Sequence, residues 1–250
     1  MDKSNDINCA LVLPAYRETE SISKLLTQLD NDLPRQWNFI VIDDSPTNQT
    51  ENIVRETFKL LKREESKLHF IKNFEKSGRG AAVQQGFVYA LSLFKFDFLI
   101  EMDSDGSHTV ESVLKLVNAP KNLEFVVGSR YLAESIIKGW PLSRRILSRI
   151  INIVIKKAFH IQLNDWTNGL RRYSARAIEL QVQYKFENKG FISLSEQALL
   201  LHRNHILPSE IPITFIERIH GSTTVTHAEI FDSLKGIIGL YIARRKKHWL

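Results

Sequence analysis

Short apolar runs alternate with helical patterns through the first 130 residues of the chain. Cys9–Tyr16, Phe39–Asp44, Leu68–Asn73, Phe96–Asp103 and Glu124–Tyr131 read as buried strands, each bounded by polar or turn residues. Between them, stretches near Glu18–Asp30, Thr50–Arg63, Gly80–Phe94 and Ser107–Val117 carry a helical period. Alternation at this spacing predicts parallel strands joined by right-handed crossovers, hence an α/β sandwich. In open sheets of this kind ligands bind beyond the carboxyl ends of the strands. Those ends are consistently polar: Pro14 to Glu18, Asp43-Asp44-Ser45-Pro46, Asp103-Ser104-Asp105, and Gly128-Ser129-Arg130-Tyr131.

After Tyr131 the pattern changes. A long basic amphipathic stretch leads into a polar elbow (Asn164–Arg172), a helix near Ser193–Arg203, a strand-like Glu210–Glu217 and a final helix near Glu229–Ala243. There is no internal repeat and no Pro/Gly-rich linker. The simplest division is one domain over residues 1–225, which includes the amphipathic segment 136–160, followed by a basic amphipathic helix over 226–250.

Composition narrows the class. With 250 residues, 43% apolar and 25% charged, the chain can build a sizeable core and does not read as disordered. A single cysteine, Cys9, excludes a disulfide scaffold and a Cys-based zinc site. The net charge of +6 suggests an anionic partner without saying which. Its distribution is more telling. Residues 136–160 hold Lys138, Arg144, Arg145, Arg149, Lys156 and Lys157 and no acid. Residues 232–250 hold Lys235, Arg244, Arg245, Lys246 and Lys247 against Asp232. Removing these 11 bases and one acid leaves 23 bases against 27 acids, so a slightly acidic domain carries two basic segments.

The first residues have acids and no basic n-region, so no signal peptide is expected. No window offers the roughly 18 apolar residues of a spanning helix. The nearest, Ile146–Phe159, is interrupted by Ser148, Arg149, Asn152, Lys156 and Lys157. The chain reads as soluble and able to lie on a membrane.

Four constellations carry candidate chemistry. Asp103 and Asp105, one residue apart after an apolar strand, can converge on a hard cation such as Mg2+ and so neutralise a diphosphate; a solvated polar turn is the plain alternative. Asp43-Asp44 suits hydrogen bonding to a nucleobase or ribose, or a helix N-cap network with Ser45 and Thr47. Lys76-Ser77-Gly78-Arg79-Gly80-Ala81 opens a helix where backbone N–H groups can meet an anion, or is an ordinary loop; it matches neither a dinucleotide fingerprint nor a P-loop. From Arg144 to Lys157, Arg145, Arg149, Asn152 and Lys156 share one face, with Leu147, Ile150, Ile151, Val154 and Ala158 opposite. That helix suits a membrane surface or packing on its own domain. The C-terminal stripe of Ile230, Leu234, Ile237, Ile238 and Tyr241, ending in basic residues and Trp249, has the same character. His108 beside the D-x-D is a candidate supporting residue.

Taken in order, these segments resemble a family 2 glycosyltransferase of the GT-A fold, in its dolichyl/polyprenyl-phosphate mannosyltransferase-like branch. Pro14 to Glu20 is similar to P-x-Y-N-E-x-E, Val41 to Ser45 to V-x-D-D, Lys76 to Ala81 to K-x-G-L-G-x-A, and Met102 to His108 to D-x-D-x-S/Q-H. Gly128 to Tyr131, Gly139-Trp140, Arg144 to Arg149, Asp165 to Arg171, and Glu210 to Gly221 continue the match. The resemblance implies a GT-A (Rossmann-like) mixed, mainly parallel sheet flanked by helices, with amphipathic interface helices. It implies that Asp43 and Asp44 hold the donor's base and ribose, with Pro14, Tyr16, Glu18 and Arg79 alongside and Arg218 on the donor phosphates. Asp103, Asp105 and Ser107 would carry Mg2+ or Mn2+. Arg130 and Arg144, with Arg145 and Arg149, would meet the acceptor phosphate.

Three positions depart from the family pattern: Arg17 replaces Asn, Leu194 replaces Gln, and Thr224 replaces a phosphate-binding lysine. The expected activity is inverting, metal-dependent transfer of a hexose, mannose from GDP-mannose, to polyprenyl phosphate at the cytoplasmic membrane face. The alternative is a UDP-sugar donor, or a glycan, protein or other lipid acceptor. A non-enzymatic protein binding nucleic acid or membrane through the basic segments would leave the strand-end carboxylates unexplained, since they repel a polyanion; no nucleic-acid partner is expected.

Overall fold

Cys9 to Leu13 carry no charged side chain, so a strand built from them is stable only where both of its faces are covered. The computed structural model describes residues 7–73, 75–93, 95–188, 190, 192–217 and 236–242. It places this run as β1 (Cys9–Ala15) inside a seven-stranded sheet. From edge to edge the order is β3 (Leu68–Lys72), β2 (Asn38–Asp43), β1, β4 (Phe98–Glu101), β7 (Arg171–Tyr173), β5 (Phe125–Ser129) and β8 (Pro208–Pro212). All pairings are parallel except those of β7, which runs antiparallel to both β4 and β5. The sheet is therefore mixed and mainly parallel. A separate parallel pair joins β6 (Ile136–Lys138) to β9 (Thr214–Ile216).

Alternate residues of the buried strands feed two cores. Helices α1 (Ser21–Asp32), α2 (Gln49–Leu60) and α4 (Val110–Val117) bury Leu25, Leu29, Val54 and Leu116 against Leu11, Leu13, Phe39 and Ile100. On the other face, α3 (Arg79–Leu93), α6 (Ala175–Gln183) and α7 (Ile192–Arg203) bury Val83, Phe87, Ile178 and Leu199 against Val12, Ile40, Leu99 and Phe125. Helix α3 lies so close to β1 that a Cβ on Gly86 would come 2.5 Å from Val12 Cγ1. A larger residue there would push the helix, and its N-terminal Arg79, off the sheet.

Four elements differ from the sequence expectation. The polar elbow contains β7, whose Arg171 and Arg172 are fully buried. Arg172 donates to the carbonyls of Val117, Ala119, Pro120 and Leu123, closing the end of α4, and stacks 4.0 Å over Phe98. Desolvation pulls its guanidinium down to about 10, still charged at neutral pH. The Glu210–Glu217 run divides into β8 and β9, which pair with different sheets across Pro212 and Ile213. Helix α6 follows β7 with Ser174 as its N-cap. Helix α4 starts at Val110 and not at Ser107, because Thr109 caps it by accepting from the Ser112 backbone N–H.

Helix α5 (Leu142–Phe159) covers the Arg144–Lys157 period, but neither expected face is the buried one: it packs through Asn152 together with Ile155 and Phe159, with Ile151 and Ala158 beside them, while Arg149 stays exposed. Asn152 Oδ1 accepts from the Trp166 backbone N–H, and Lys156 donates to Asn164 Oδ1 at 2.8 Å. Leu142, Ile146, Leu147, Ile150, Ile153 and Val154 face outward. Residues 236–242 are helical and bury Ile237 and Leu240 on the core, leaving Ile238 exposed. The basic residues Lys235 and Arg244 to Lys247 lie outside the described residues, as do Arg218 and Thr224. Among the described residues, no helix is long and apolar enough to cross a membrane.

Candidate active site at the carboxyl ends of the strands

Six strands of the main sheet share a direction, so their carboxyl ends lie along one edge, where antiparallel β7 begins. That geometry gathers residues 14–18, 43–45, 73, 75–79, 101–108, 128–131 and 165–170 on one rim.

Asp43 and Asp44 are both buried and both engaged by the protein. Asp43 accepts from the Ser45 backbone N–H at 2.9 Å, from Ser45 Oγ, and from Lys72 Nζ at 2.7 Å. Asp44 accepts from Asn73 Nδ2 at 2.7 Å, the Ser77 N–H at 3.1 Å, the Gly78 N–H at 2.9 Å and Ser77 Oγ. The backbone N–H groups of the glycine loop thus meet the protein's own anion, with Gly78 at φ +90. The network is not a helix N-cap: α2 starts after Asn48, whose side chain makes no cap bond. A ribose or base reaching this place shares carboxylate oxygens that already shape the loop.

The D-x-D turn is a different case. Asp103 Oδ1 accepts from Arg79 Nε at 2.8 Å and faces Arg79 Nη2 at 2.7 Å. Arg79 Nη1 reaches Glu101 Oε1 at 2.5 Å, and Glu101 Oε2 accepts from the Tyr173 hydroxyl at 2.8 Å. His108, fully buried, brings Nε2 to 3.5 Å from Asp103 Oδ2. Burial alone would raise the Asp103 carboxyl, but the Arg79 guanidinium, helped by His108, holds it well below the usual carboxylate range. Burial likewise opposes the Arg79 charge, and Asp103 and Glu101 outweigh it and keep the guanidinium protonated. Gly169 packs directly on the pair: a Cβ there would lie 2.3 Å from Arg79 Nη2 and 2.6 Å from Asp103 Oδ2.

Asp105 is half-buried and accepts from the Ser107 N–H at 3.0 Å. Ser107 Oγ is buried without a hydrogen-bond partner. Two carboxylates and an orphaned hydroxyl form an all-oxygen donor set, the kind a hard cation takes while keeping water and phosphate in its remaining positions. Among the described residues, no group of three or more His, Cys, Asp or Glu side chains is poised to hold a metal alone. The set fits Mg2+ or Mn2+ completed by a ligand's oxygens.

The remaining donor-side residues follow β1. The Pro14 carbonyl accepts from Ser104 Oγ at 2.6 Å, tying the β1 end to the D-x-D turn. Tyr16 is exposed, with Lys76 Nζ 4.2 Å and the Arg17 guanidinium 5.3 Å from its ring centroid. Arg17 sits at φ +58 while its N–H donates to Ser45 Oγ at 2.7 Å. That left-handed position favours the Asn expected there. Glu18 Oε2 accepts from Ser21 Oγ at 2.5 Å.

The four arginines expected on the acceptor side separate. Arg130, 8% exposed, is bidentate to Asp165 at 2.8 and 2.7 Å, donates to Thr167 Oγ1, and lies 5.2 Å from the Trp140 ring and 5.4 Å from the Phe215 ring. Arg144, half-buried, pairs with Glu217 at 2.8 Å and lies 4.2 Å over Trp140. Arg145 is turned to the chain, donating to the carbonyls of Ile137 and Trp140. Arg149 is exposed on α5. Glu101, Tyr173, Asp165, Glu217 and Gly169 complete the rim, and sequence reasoning gave none of them an individual role. The signals were there: Asp165 and Gly169 lie in the Asp165–Arg171 match, Glu217 lies in the Glu210–Gly221 match, and Glu101 is a carboxylate inside the apolar run, two residues before the D-x-D.

Comparison with known proteins agrees with this architecture. The sequence pattern described as glycosyl transferase family 2 matches residues 10–183. Polyprenol monophosphomannose synthase of Mycolicibacterium smegmatis is 28% identical over 90% of this chain and 83% of its own. Undecaprenyl-phosphate mannosyltransferase of Micrococcus luteus is 28% identical over 94% of each chain. Among solved structures, the mannosyltransferase of Pyrobaculum calidifontis in complex with GDP-Man and Mn2+ superposes with a TM-score of 0.65 at 17% identity, covering 96% of this chain. This chain spans 65% of that one. Glucosyl-3-phosphoglycerate synthase of Mycobacterium tuberculosis, in complex with UDP, superposes with a TM-score of 0.64 at 15% identity over 95% of this chain and 80% of that one. The sheet with its flanking helices is the GT-A fold, and the chain belongs to glycosyl transferase family 2 and is a glycosyltransferase.

Proposed function

We propose that the chain transfers a hexose, mannose from GDP-mannose, to a polyprenyl phosphate while attached peripherally to the cytoplasmic face of a membrane. Residues 1–225 would supply the catalytic domain and 226–250 a second basic contact with the bilayer. The activities named for the two bacterial relatives support the sugar and the acceptor class. The observation that carries the acceptor reading is the outward apolar ridge of α5. It begins at Leu142, beside Arg144, and exposed Arg149 and Lys157 lie on the same helix. A helix with that arrangement suits the boundary between headgroups and acyl chains, where a lipid phosphate is presented.

Asp103, Asp105 and Ser107 would hold Mg2+ or Mn2+, which neutralises the charge that develops on the diphosphate leaving group. Asp43, Asp44, Pro14, Tyr16, Glu18 and Arg79 frame the donor side, with Arg218 following Glu217 in sequence. Arg130 and Arg144 orient the acceptor phosphate, with Arg149 beside it; Arg145 supports the turn before α5 through the two carbonyls it holds. An acceptor phosphate is anionic at neutral pH, so it attacks the anomeric carbon without a strong general base. The residues therefore work by charge and alignment. In-line displacement inverts the anomeric configuration.

The test is product analysis. The protein is incubated with polyprenyl phosphate, Mn2+ and, separately, GDP-mannose and UDP-sugars. A lipid-linked mannose released by mild acid is the expected product. Transfer only from a UDP-sugar, or only to a glycan or protein, would replace this reading with the alternative donor or acceptor.

A further inference from the structure

Arg79 stands where the glycine loop enters α3, and its guanidinium is spent on carboxylates. Nε and Nη2 both face Asp103 Oδ1, while Nη1 takes Glu101. Glu101 is fully buried and anchored from behind by Tyr173, so the guanidinium is fixed at both ends. The rest of the fold protects this arrangement. Gly169 leaves no room for a side chain against the pair. Gly86 keeps α3 against β1. The Trp166 and Asn168 carbonyls, on either side of Thr167, accept from buried Arg171, which holds the Gly169 turn in place.

One consequence is electrostatic. Of the two D-x-D carboxylates, the inner one already has a cation, and one of its oxygens is in use. Among the described residues, a free divalent ion at this turn finds Asp105, Asp103 Oδ2 and Ser107 Oγ, with His108 Nε2 3.5 Å from that Oδ2 and the Arg79 guanidinium on the other oxygen. A nucleoside diphosphate arriving with the ion brings the oxygens and the negative charge that the protein withholds.

We propose that Arg79 is a positioning residue that occupies the inner carboxylate of the D-x-D in the nucleotide-free chain, so that the divalent cation is captured only together with a nucleoside diphosphate. Arg79 thereby acts on the donor through Asp103. The inference rests on the metal-and-nucleotide reading above and adds to it an order of binding and the residue that imposes it.

The test reads Mn2+ binding directly, by loss of the free-ion EPR signal, with and without GDP or UDP and with no sugar transfer involved. Wild-type protein is expected to bind Mn2+ weakly alone and much more tightly with one of the nucleotides. In Arg79→Gln, affinity for Mn2+ without nucleotide rises by roughly tenfold or more, and the gain from nucleotide shrinks, because a unit charge a few ångströms away has been removed. The double variant Arg79→Gln with Glu101→Gln removes the fully buried acid that Arg79→Gln alone would leave without its cation. It should show the same tightening, which separates the effect from damage to the fold. Arg79→Lys, which retains the charge, should stay close to wild type. A merely structural arginine would lower the melting temperature and leave the ion affinity unchanged. Unchanged affinity in both Gln variants, with wild type still nucleotide-dependent, overturns the role of Arg79 alone. Wild-type protein that binds no Mn2+ even with GDP and UDP overturns this inference and the metal-dependent reading together.

Discussion

Two carboxylate pairs end β2 and β4, the neighbours of β1 on either side, and the protein treats them in opposite ways. Asp43 and Asp44 are surrounded by donors from Ser45, Lys72, Asn73, Ser77 and Gly78. The charge of Asp43 is consumed in the turn after β2, and that of Asp44 in shaping the loop that leads to α3. In the D-x-D pair only the inner member is consumed, by Arg79, and the outer one has a single backbone donor among the described residues. Two acids at a strand end are thus not equivalent evidence for a ligand: what matters is how much of their hydrogen-bonding capacity the fold has left open.

The largest expected break in this comparison is at Asp105. Asp105→Ala should lower sugar transfer by roughly two to three orders of magnitude, the usual scale for losing an electrostatic stabiliser of a developing charge. Because the side chain accepts only one backbone bond, its melting temperature should stay near wild type. Unchanged transfer to polyprenyl phosphate with added Mn2+ would sink the metal assignment.

Asp44→Ala should do the reverse. It strands the partly buried backbone N–H groups of Ser77 and Gly78 and the Asn73 amide, so it should cost about 1–3 kcal/mol in urea unfolding. Its activity loss should follow the displaced loop, appearing as a raised KM for donor. A stable Asp44→Ala protein would remove the contrast between the two pairs.

This division was only half legible in the sequence. Strands β1, β2, β4 and β5 were, because strands covered on both faces are written as apolar runs, and the half-buried edge strand β3 was legible from its short Leu68–Ile71 run. Strand β7 was not, since Arg171 and Arg172 read as the end of a polar elbow until backbone carbonyls of neighbouring segments are seen to receive them. The helical period of α5 was readable, yet its direction was not. Asn152 and Lys156 are polar enough to face water and instead bind the 164–166 turn, which sends the apolar ridge outward. For the site, spacing located both acid pairs. It could not tell saturated from open, because the deciding partners Lys72, Arg79 and Gly169 come from other segments of the chain.

A smaller effect comes from pH. The Asp103 carboxyl is held below its ordinary value, so its pairing contributes stability that is complete above the unfolded-state pKa and is lost as pH falls through the folded one. The gap in unfolding free energy between wild type and Asp103→Asn should therefore be constant above about pH 5 and narrow below about pH 4. A gap that widens on acidification would mean that Arg79 does not hold that carboxyl charged.

The finest probe is Ser107→Ala. Its hydroxyl is buried and has no partner, so the metal-free protein gains nothing from it. Removing a buried hydroxyl that makes no hydrogen bond leaves nothing unsatisfied, and stability should change by no more than about 0.5 kcal/mol in either direction. If the hydroxyl is instead kept for a ligand, the same substitution should weaken Mn2+ binding in the presence of nucleotide by a few-fold while leaving the unfolding curve in place. The two measurements answer different questions about one atom. A loss of stability above about 1 kcal/mol would mean that the hydroxyl serves the fold, as the oxygens of Asp43 and Asp44 do. Weakened ion binding alone would put Ser107 with Asp105, on the side of the rim that the fold leaves open for its substrate.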